Sequence, residues 1–211
     1  MIGRKFKYSQ ISRENKSIQI ATVLNQLCLA KVAWKVHHSS ANGVPLGAEQ
    51  NDRFFKVLFL DVGLVSTSLG LSYLNLVELD ELTVINEGYL AEQFIGQHLL
   101  YKNPCYEEPY LYYWAREKKS AAAEIDYIIS KGQQIIPVEV KAGKTGQMKS
   151  LHIFLKEKQR HLGVRFNSEP PSLIDTTINL SDGSNVAFRL LSLPFYLVER
   201  LNQLICRFSE K

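Results

Sequence analysis

Three charged residues near the ends of two apolar segments form the clearest chemical pattern in the sequence. Asp126 lies in AEIDYIIS, and Glu139 and Lys141 lie in IIPVEVK; both segments have the composition of buried strands. Crowded carboxylates repel one another unless a cation compensates, and carboxylates with water suit Mg²⁺ or Mn²⁺. A metal at Asp126 and Glu139 would activate a water and clamp a phosphate, while Lys141 would stabilise the oxyanion. The pattern predicts metal-dependent phosphodiester hydrolysis.

The register of these two strands sets the predicted spacing of the carboxylates. If Lys131 and Gly132 close the hairpin, Glu124 opposes Glu139, and Asp126 lies diagonally from Glu139, about 7–8 Å away at the backbone. Since side chains alternate along a strand, one charged and one apolar face are expected. The charged face is predicted to hold Glu124, Asp126, Glu139 and Lys141, and the apolar face Ile125, Tyr127, Ile129, Ile136, Val138 and Val140.

The same residues also allow a purely structural interpretation. The tripeptide Glu-x-Lys occurs at residues 14–16, 117–119 and 139–141, so the tripeptide alone has no diagnostic value. Only the last copy ends an apolar strand that follows another strand carrying an aspartate. A surface salt-bridge ladder of Glu124, Glu139 and Lys141 is the alternative to a metal site.

The elements that position these residues follow from periodicity in the second half of the chain. EGYLAEQFIGQHLLY and MKSLHIFLKEKQR have helical spacing, and PFYLVERLNQLICRF predicts a closing helix behind Pro194. Strands are predicted in PYLYYWARE, AAEIDYIIS, QQIIPVEVK, HLGVRFN, TTINL and NVAFRLL. Residues 85–211 are therefore predicted to form an α/β domain with a mixed sheet.

The first half predicts a smaller arrangement of one helix and two strands. SIQIATVLNQLCLA has helical spacing, whereas KVAWKVHH and FFKVLFLDVGL are typical of strands. Residues 1–66 are predicted to be winged-helix-like, and residues 67–84 to form a helical connector. Asp61 is expected to cap or fix a loop rather than act in catalysis.

Charge and composition narrow the partners and the compartment. The net charge is +4, and residues 1–38 hold seven basic residues against the single Glu14, which is +6. Nucleic acid, with DNA preferred, is the expected partner of this arm, with a solvated helix face as the alternative. The proposed contacts are Arg4, Lys5, Lys7 and Arg13. No apolar run approaches the length of a membrane span, and the three separated cysteines predict a cytoplasmic protein without a membrane partner.

The run AEIDYIISKGQQIIPVEVKAGKTGQMKSLHIF resembles the core of the PD-(D/E)xK nuclease superfamily, which has a restriction-endonuclease-like fold. More narrowly, it resembles the C-terminal domain that follows the ATPase module of many bacterial and archaeal AAA-type ATPases. EGYLAEQFIGQHL, YLYYWARE and FKVLFLDVGL extend the similarity over most of the chain. The resemblance implies metal ligands at Asp126, Glu139 and Glu92, a catalytic Lys141, and a second-shell or structural Glu124.

One departure from that resemblance concerns ATP. Gly143-Lys144-Thr145 follows a strand, but a P-loop also needs a glycine five positions before Gly143, where Val138 stands. The chain is therefore not expected to hydrolyse ATP by itself. The partner that the resemblance implies is an AAA-type ATPase domain, which is either encoded separately or has been lost. Two further hypotheses stay open: a non-catalytic interaction module that partners an ATPase, and a DNA-binding regulator.

Overall fold

The computed structural model describes residues 5–11, 16–70, 84–102, 105–116, 122–143, 148–179 and 183–209. The helices in this part of the chain are α1 (Ser17–Leu29), α2 (Val62–Ser68), α3 (Val84–Leu100), α4 (Lys149–Glu157) and α5 (Leu201–Ser209). The strands are β1 (Ala33–Ser39), β2 (Gln50–Phe59), β3 (Tyr112–Arg116), β4 (Ala123–Lys131), β5 (Gln134–Val140), β6 (Leu162–Asn167), β7 (Ser172–Asn179) and β8 (Asn185–Pro194). Short 3₁₀ helices cover Tyr8–Gln10, Leu46–Glu49 and Phe195–Arg200.

All eight described strands belong to one mixed sheet in the order β2-β1-β3-β4-β5-β6-β8-β7. The pairs β1–β3, β5–β6 and β6–β8 are parallel, and the other neighbours are antiparallel. Parallel neighbours need crossover connections, and α4 supplies the one between β5 and β6. The prediction of an α/β fold with a mixed sheet is confirmed.

The N-terminal strands extend this sheet. β1 pairs in parallel with β3 through His37–Tyr112 and His38–Tyr113, so the sheet crosses the boundary predicted between residues 66 and 85. The helix and two strands expected in residues 1–66 are present as α1, β1 and β2. Most of the connector predicted at residues 67–84 lies outside the described residues. Strands from both ends of the chain therefore contribute to one structural layer.

Helices cover both faces of the sheet. On one face α3 and α5 contribute Ile95, Leu99 and Ile205 to a cluster of buried side chains. On the other face α4 contributes Leu151 and Phe154 to a second cluster. Because both faces are covered, the central strands are apolar on both sides, and a charged residue buried there requires a partner.

The β4–β5 hairpin has a different register from the predicted one. Lys131 pairs with Gln134, and Gly132, with φ +56°, lies in the turn with Gln133. A positive φ suits glycine because it has no Cβ, and it permits a tight two-residue turn. The predicted pairing is wrong by two residues: one step beyond the last ladder pair, Asp126 comes level with Glu139 instead of Pro137.

A bulge in β4 also changes which side chains share a face. Trp114 pairs with Ile125 but Tyr112 pairs with Ile128, so β4 contains one residue more than β3 between these pairs. Ile125 consequently packs in the α4 cluster, whereas Tyr127 packs in the α3 cluster. The predicted apolar face is confirmed for Tyr127, Ile136, Val138 and Val140, with Ile129 packed against the same cluster. It is wrong for Ile125, because the prediction assumed unbroken alternation. Asp126 lies within the bulge.

Candidate active site

The candidate active site lies where the β4–β5 ladder ends and brings together side chains from four elements. β2 contributes Lys56 and α3 contributes Glu92. Asp126 lies in β4, Glu139 lies in β5, and Lys141 directly follows β5. The electric fields of these groups act on one another across the site. The structure thus assembles the predicted Asp126, Glu139, Lys141 and Glu92 with a lysine that the sequence did not suggest.

Glu139 and Lys141 form an ion pair at the end of β5. The Lys141 Nζ lies 2.6 Å from the Glu139 Oε1, and Glu139 is only 5% exposed. Burial, followed by the nearby Asp126 carboxylate, raises the pKa of Glu139 to about 7 despite the neighbouring lysine. Burial opposes the charge of Lys141, but Glu139, Asp126 and Glu92 together outweigh this effect and raise the pKa of Lys141. Lys141 is therefore a permanent cation at neutral pH.

Asp126 is held against the backbone of the next strand. Its Oδ2 accepts a hydrogen bond of 2.8 Å from the Val140 amide. Burial raises the pKa of Asp126, although the Lys56 ammonium and the Val140 amide both favour the charged form. The bulge of β4 and the end of β5 thus fix this carboxylate next to Glu139.

Glu92 reaches the site from α3. Burial and then the Asp126 carboxylate raise the pKa of Glu92 to about 8, so the side chain is mostly protonated at neutral pH. Its Oε2 is buried and has no hydrogen-bond partner among the described residues. The Tyr127 hydroxyl donates a hydrogen bond of 2.8 Å to the Glu92 carbonyl, which ties this turn of α3 to β4. The position implied by the resemblance is therefore adjacent to the other carboxylates.

Lys56 is the site residue that sequence reasoning missed. It is 2% exposed, and its Nζ lies 2.5 Å from the Glu124 Oε1 and 5.2 Å from the Tyr113 ring centroid. Burial alone would lower the pKa of Lys56, but Asp126, Glu124 and Glu92 together raise it. A signal existed: Lys56 is the single charge in the apolar run FFKVLFL, and a charge inside a buried strand needs opposite charges nearby. Glu124, for which a supporting or structural role was expected, supplies one of these opposite charges.

The carboxyl oxygens of this site are the type of donor atom that a hard cation such as Mg²⁺ prefers. Four carboxyl groups, of which Glu92 is mostly protonated at neutral pH, face two ammonium groups, and all the available metal donors are oxygen atoms. The Oε2 atoms of Glu92 and Glu139 are buried without hydrogen-bond partners in the described part of the chain. Across the described ranges, however, no three His, Cys, Asp or Glu side chains are arranged closely enough to hold a metal ion. The two lysines supply the positive charge in this arrangement.

Two of the predicted nucleic-acid contacts, Lys5 and Lys7, lie in the N-terminal segment that runs beside β2. The Lys5 Nζ lies 3.2 Å from the Phe54 ring centroid, and Lys7 is exposed. Arg4 and Arg13 fall outside the described residues. Asp61 accepts a hydrogen bond of 3.0 Å from the Leu64 amide at the start of α2, which confirms that it caps a helix.

Comparisons with known proteins find two families of unknown function. Residues 87–182 match the family model of a domain of unknown function, DUF4143, which is found C-terminal to AAA-type ATPases. Residues 1–75 match that of a second domain of unknown function, DUF8612. Searches of curated proteins and of solved structures gave no significant match.

The two matched regions meet at the candidate site. Lys56 lies in the first region, and Glu92, Asp126, Glu139 and Lys141 lie in the second. No helix in the described part of the chain has the length and apolarity needed to cross a membrane.

Proposed function

We propose that this chain is a metal-dependent nuclease of the PD-(D/E)xK type with a restriction-endonuclease-like fold. The observation that carries the proposal is the convergence of Asp126, Glu139 and Lys141 at the end of one hairpin, with Glu92 beside them. Carboxyl groups of raised pKa are typical of functional sites, and a fixed cation such as Lys141 can stabilise charge that develops on a phosphate ester.

The residues have distinct proposed roles. Asp126, Glu139 and Glu92 are the proposed ligands of Mg²⁺ or Mn²⁺, and they would have to move closer together than they are here to hold the ion. When bound, the metal would activate water and neutralise phosphate charge. Because the pKa of Lys141 is raised, this residue acts as a donor to a phosphate oxygen and not as a general base. Lys56 holds Glu124 from the side of β2.

Nucleic acid, with DNA preferred, is the proposed substrate. The exposed Lys7 and the half-buried Lys5 lie in the N-terminal segment, where positive charge is concentrated. An AAA-type ATPase is the proposed protein partner, supported by the match of residues 87–182 to a domain found C-terminal to such ATPases. In the same proposal, residues 1–66 form a winged-helix-like segment that supplies contacts to the phosphates of the nucleic acid.

A cleavage assay tests the catalytic proposal. Plasmid, single-stranded DNA and RNA are incubated with Mn²⁺ and either the wild type, Asp126→Asn or Lys141→Met. The matched controls are Glu108→Gln and Lys31→Met, which disrupt an exposed ion pair of 2.7 Å that includes none of the site residues. Cleavage that falls at least a hundredfold in the two site variants but not in the controls supports a nuclease. Equal activity in all five proteins rejects the assignment.

A non-catalytic interaction module is the second candidate. The observation that favours it is internal neutralisation: Lys56 and Lys141 already pair with Glu124 and Glu139 without a metal. In that case Mn²⁺ leaves the melting temperature of the wild type unchanged, whereas a metal site raises it with the logarithm of the Mn²⁺ concentration once this exceeds the dissociation constant. A rise that Glu139→Gln abolishes favours the nuclease.

A further inference from the structure

The two edges of the eight-stranded sheet differ in whether another segment lies along them. At one edge, the Phe6 amide donates a hydrogen bond of 2.8 Å to the Phe55 carbonyl, so the N-terminal segment lies along β2. The pairing of β2 with β1 is also interrupted by a register shift between His37 and His38. At the other edge, β7 pairs with β8 without any shift from Ser172 to Asn179, and no described segment pairs with its outer side.

β7 lacks the features that protect exposed edges from pairing. Edge strands are usually blocked by lysine, proline, a bulge or a covering segment. Within β7 there is no lysine, proline or register shift, and the single charge, Asp175, is already bound by Arg189 at 2.7 Å. Ile174 and the β-branched residues around it favour strand pairing, and Ile174 is 48% exposed.

We propose that β7 is a dimerisation edge that pairs antiparallel with β7 of a second copy of this chain. In an antiparallel pair, residues that face each other must lie on the same face of the sheet, so only registers that join positions of equal parity are possible. Pairing Asp175 with Asp175 would place two like charges opposite each other. The longest register without this conflict centres on Thr176.

That register is chemically self-complementary. Thr176 faces its own copy, Ile174 faces Ile178, and Asp175 faces Thr177 of the second copy. β-Branched and hydroxyl pairs of this kind stabilise antiparallel strands. Ile174, Thr176 and Ile178 share one face of β7. Their partners on β8 belong to the α4 cluster and are Leu190, Phe188 and Val186. Dimerisation would therefore continue one apolar layer across the two-fold axis and cover the exposed Ile174.

Disulfide trapping tests both the interface and its register. Cys28, Cys105 and Cys206 are free thiols and are first replaced by serine. In this background Thr176→Cys places two thiols opposite each other, with Cα atoms about 4.5–5.5 Å apart, within the range that a disulfide spans. Thr177→Cys is the matched control, because it faces Asp175 and has no thiol opposite.

The expected result is a covalent dimer of Thr176→Cys that forms at least tenfold faster than that of Thr177→Cys. A similar rate for both variants, or no dimer for either, overturns the proposal. Ile174→Lys introduces the missing edge charge, and light scattering at increasing concentration should find it monomeric where the wild type dimerises. Dimers that persist in Ile174→Lys also overturn the proposal.

Discussion

Lys56 illustrates how one buried charge depends on its partners. Lys56→Met keeps the size of the side chain but leaves Glu124, Asp126 and Glu92 without their shared cation. Breaking a buried ion pair costs about 3–5 kcal/mol, and the low end applies here because the Glu124 side chain is 42% exposed. We expect the free energy of unfolding, measured in urea, to fall by about 3 kcal/mol. The control Lys31→Met should change it by less than about 1 kcal/mol, and equal losses would contradict the role of Lys56.

The protonation of Glu92 makes stability depend on pH. Its pKa is about 8 in the folded protein and 4.5 when unperturbed, so between these values the folded state holds a proton that the unfolded state has lost. This contribution is complete below pH 4.5 and disappears as the pH rises through 8. In metal-free buffer, the wild type should therefore lose stability between pH 6 and pH 8.

Glu92→Gln tests the origin of that loss. A neutral amide does not ionise, so the decrease in unfolding free energy between pH 6 and pH 8 should become smaller in urea titrations. Glu108→Gln, at an exposed ion pair, should keep the wild-type profile. Identical profiles for the wild type and Glu92→Gln would show that another group is responsible.

The contact between α3 and β4 depends on a glycine. A Cβ at Gly96 would lie 2.7 Å from the Tyr127 Cζ and 2.8 Å from the Leu58 Cδ1, which is closer than packed carbon atoms allow. Gly96→Ala should push α3 away from the sheet, destabilise the protein by about 1–3 kcal/mol, and displace Glu92 on the same helix.

Gly88→Ala is the matched control in α3, since a Cβ there meets nothing within 4 Å. It should stabilise the protein by about 0.5–1 kcal/mol through helix propensity. Thermal unfolding of both variants decides the matter. A similar change in the two proteins would mean that the contact of Gly96 with Tyr127 is unimportant.

Whether a segment forms a helix or a strand was more predictable than the register in which its strands pair and the face on which each side chain lies. Apolar periodicity identified β3, β4, β5, α4, β6 and β8 because buried segments carry a local signal. The bulge at Asp126 and the two-residue error in register carried no such signal. Both depend on how β4 pairs with β3 and β5, which is a property of strands distant in sequence.

The candidate site was predicted unevenly for a related reason. Asp126, Glu139 and Lys141 are close in sequence, so one hairpin sufficed to bring them together. Glu92 was added by family resemblance. Lys56 lies seventy residues before Asp126, and the parallel pairing of β1 with β3 brings β2 near the hairpin.

At the scale of the whole molecule, the C-terminal region depends on the N-terminal strands. Trp34, Val36 and Leu58 lie in the same buried cluster as Ile95 and Tyr113. A fragment of residues 85–211 would expose this cluster and the edge of β3. It should unfold at least 10 °C below the full chain or remain unfolded, as circular dichroism and limited proteolysis can measure. Equal melting temperatures would show that residues 85–211 form an independent domain.

The burial of Lys56 against Glu124 also constrains the ancestry of the chain. Two regions that share an ion pair with a buried lysine cannot be exchanged independently of each other by recombination. A gene fusion that brings a new first region to residues 87–182 must also bring a cation at the position of Lys56, or the receiving region must lose an acid. Covariation between position 56 and position 124 in related genes is the expected trace of that shared history.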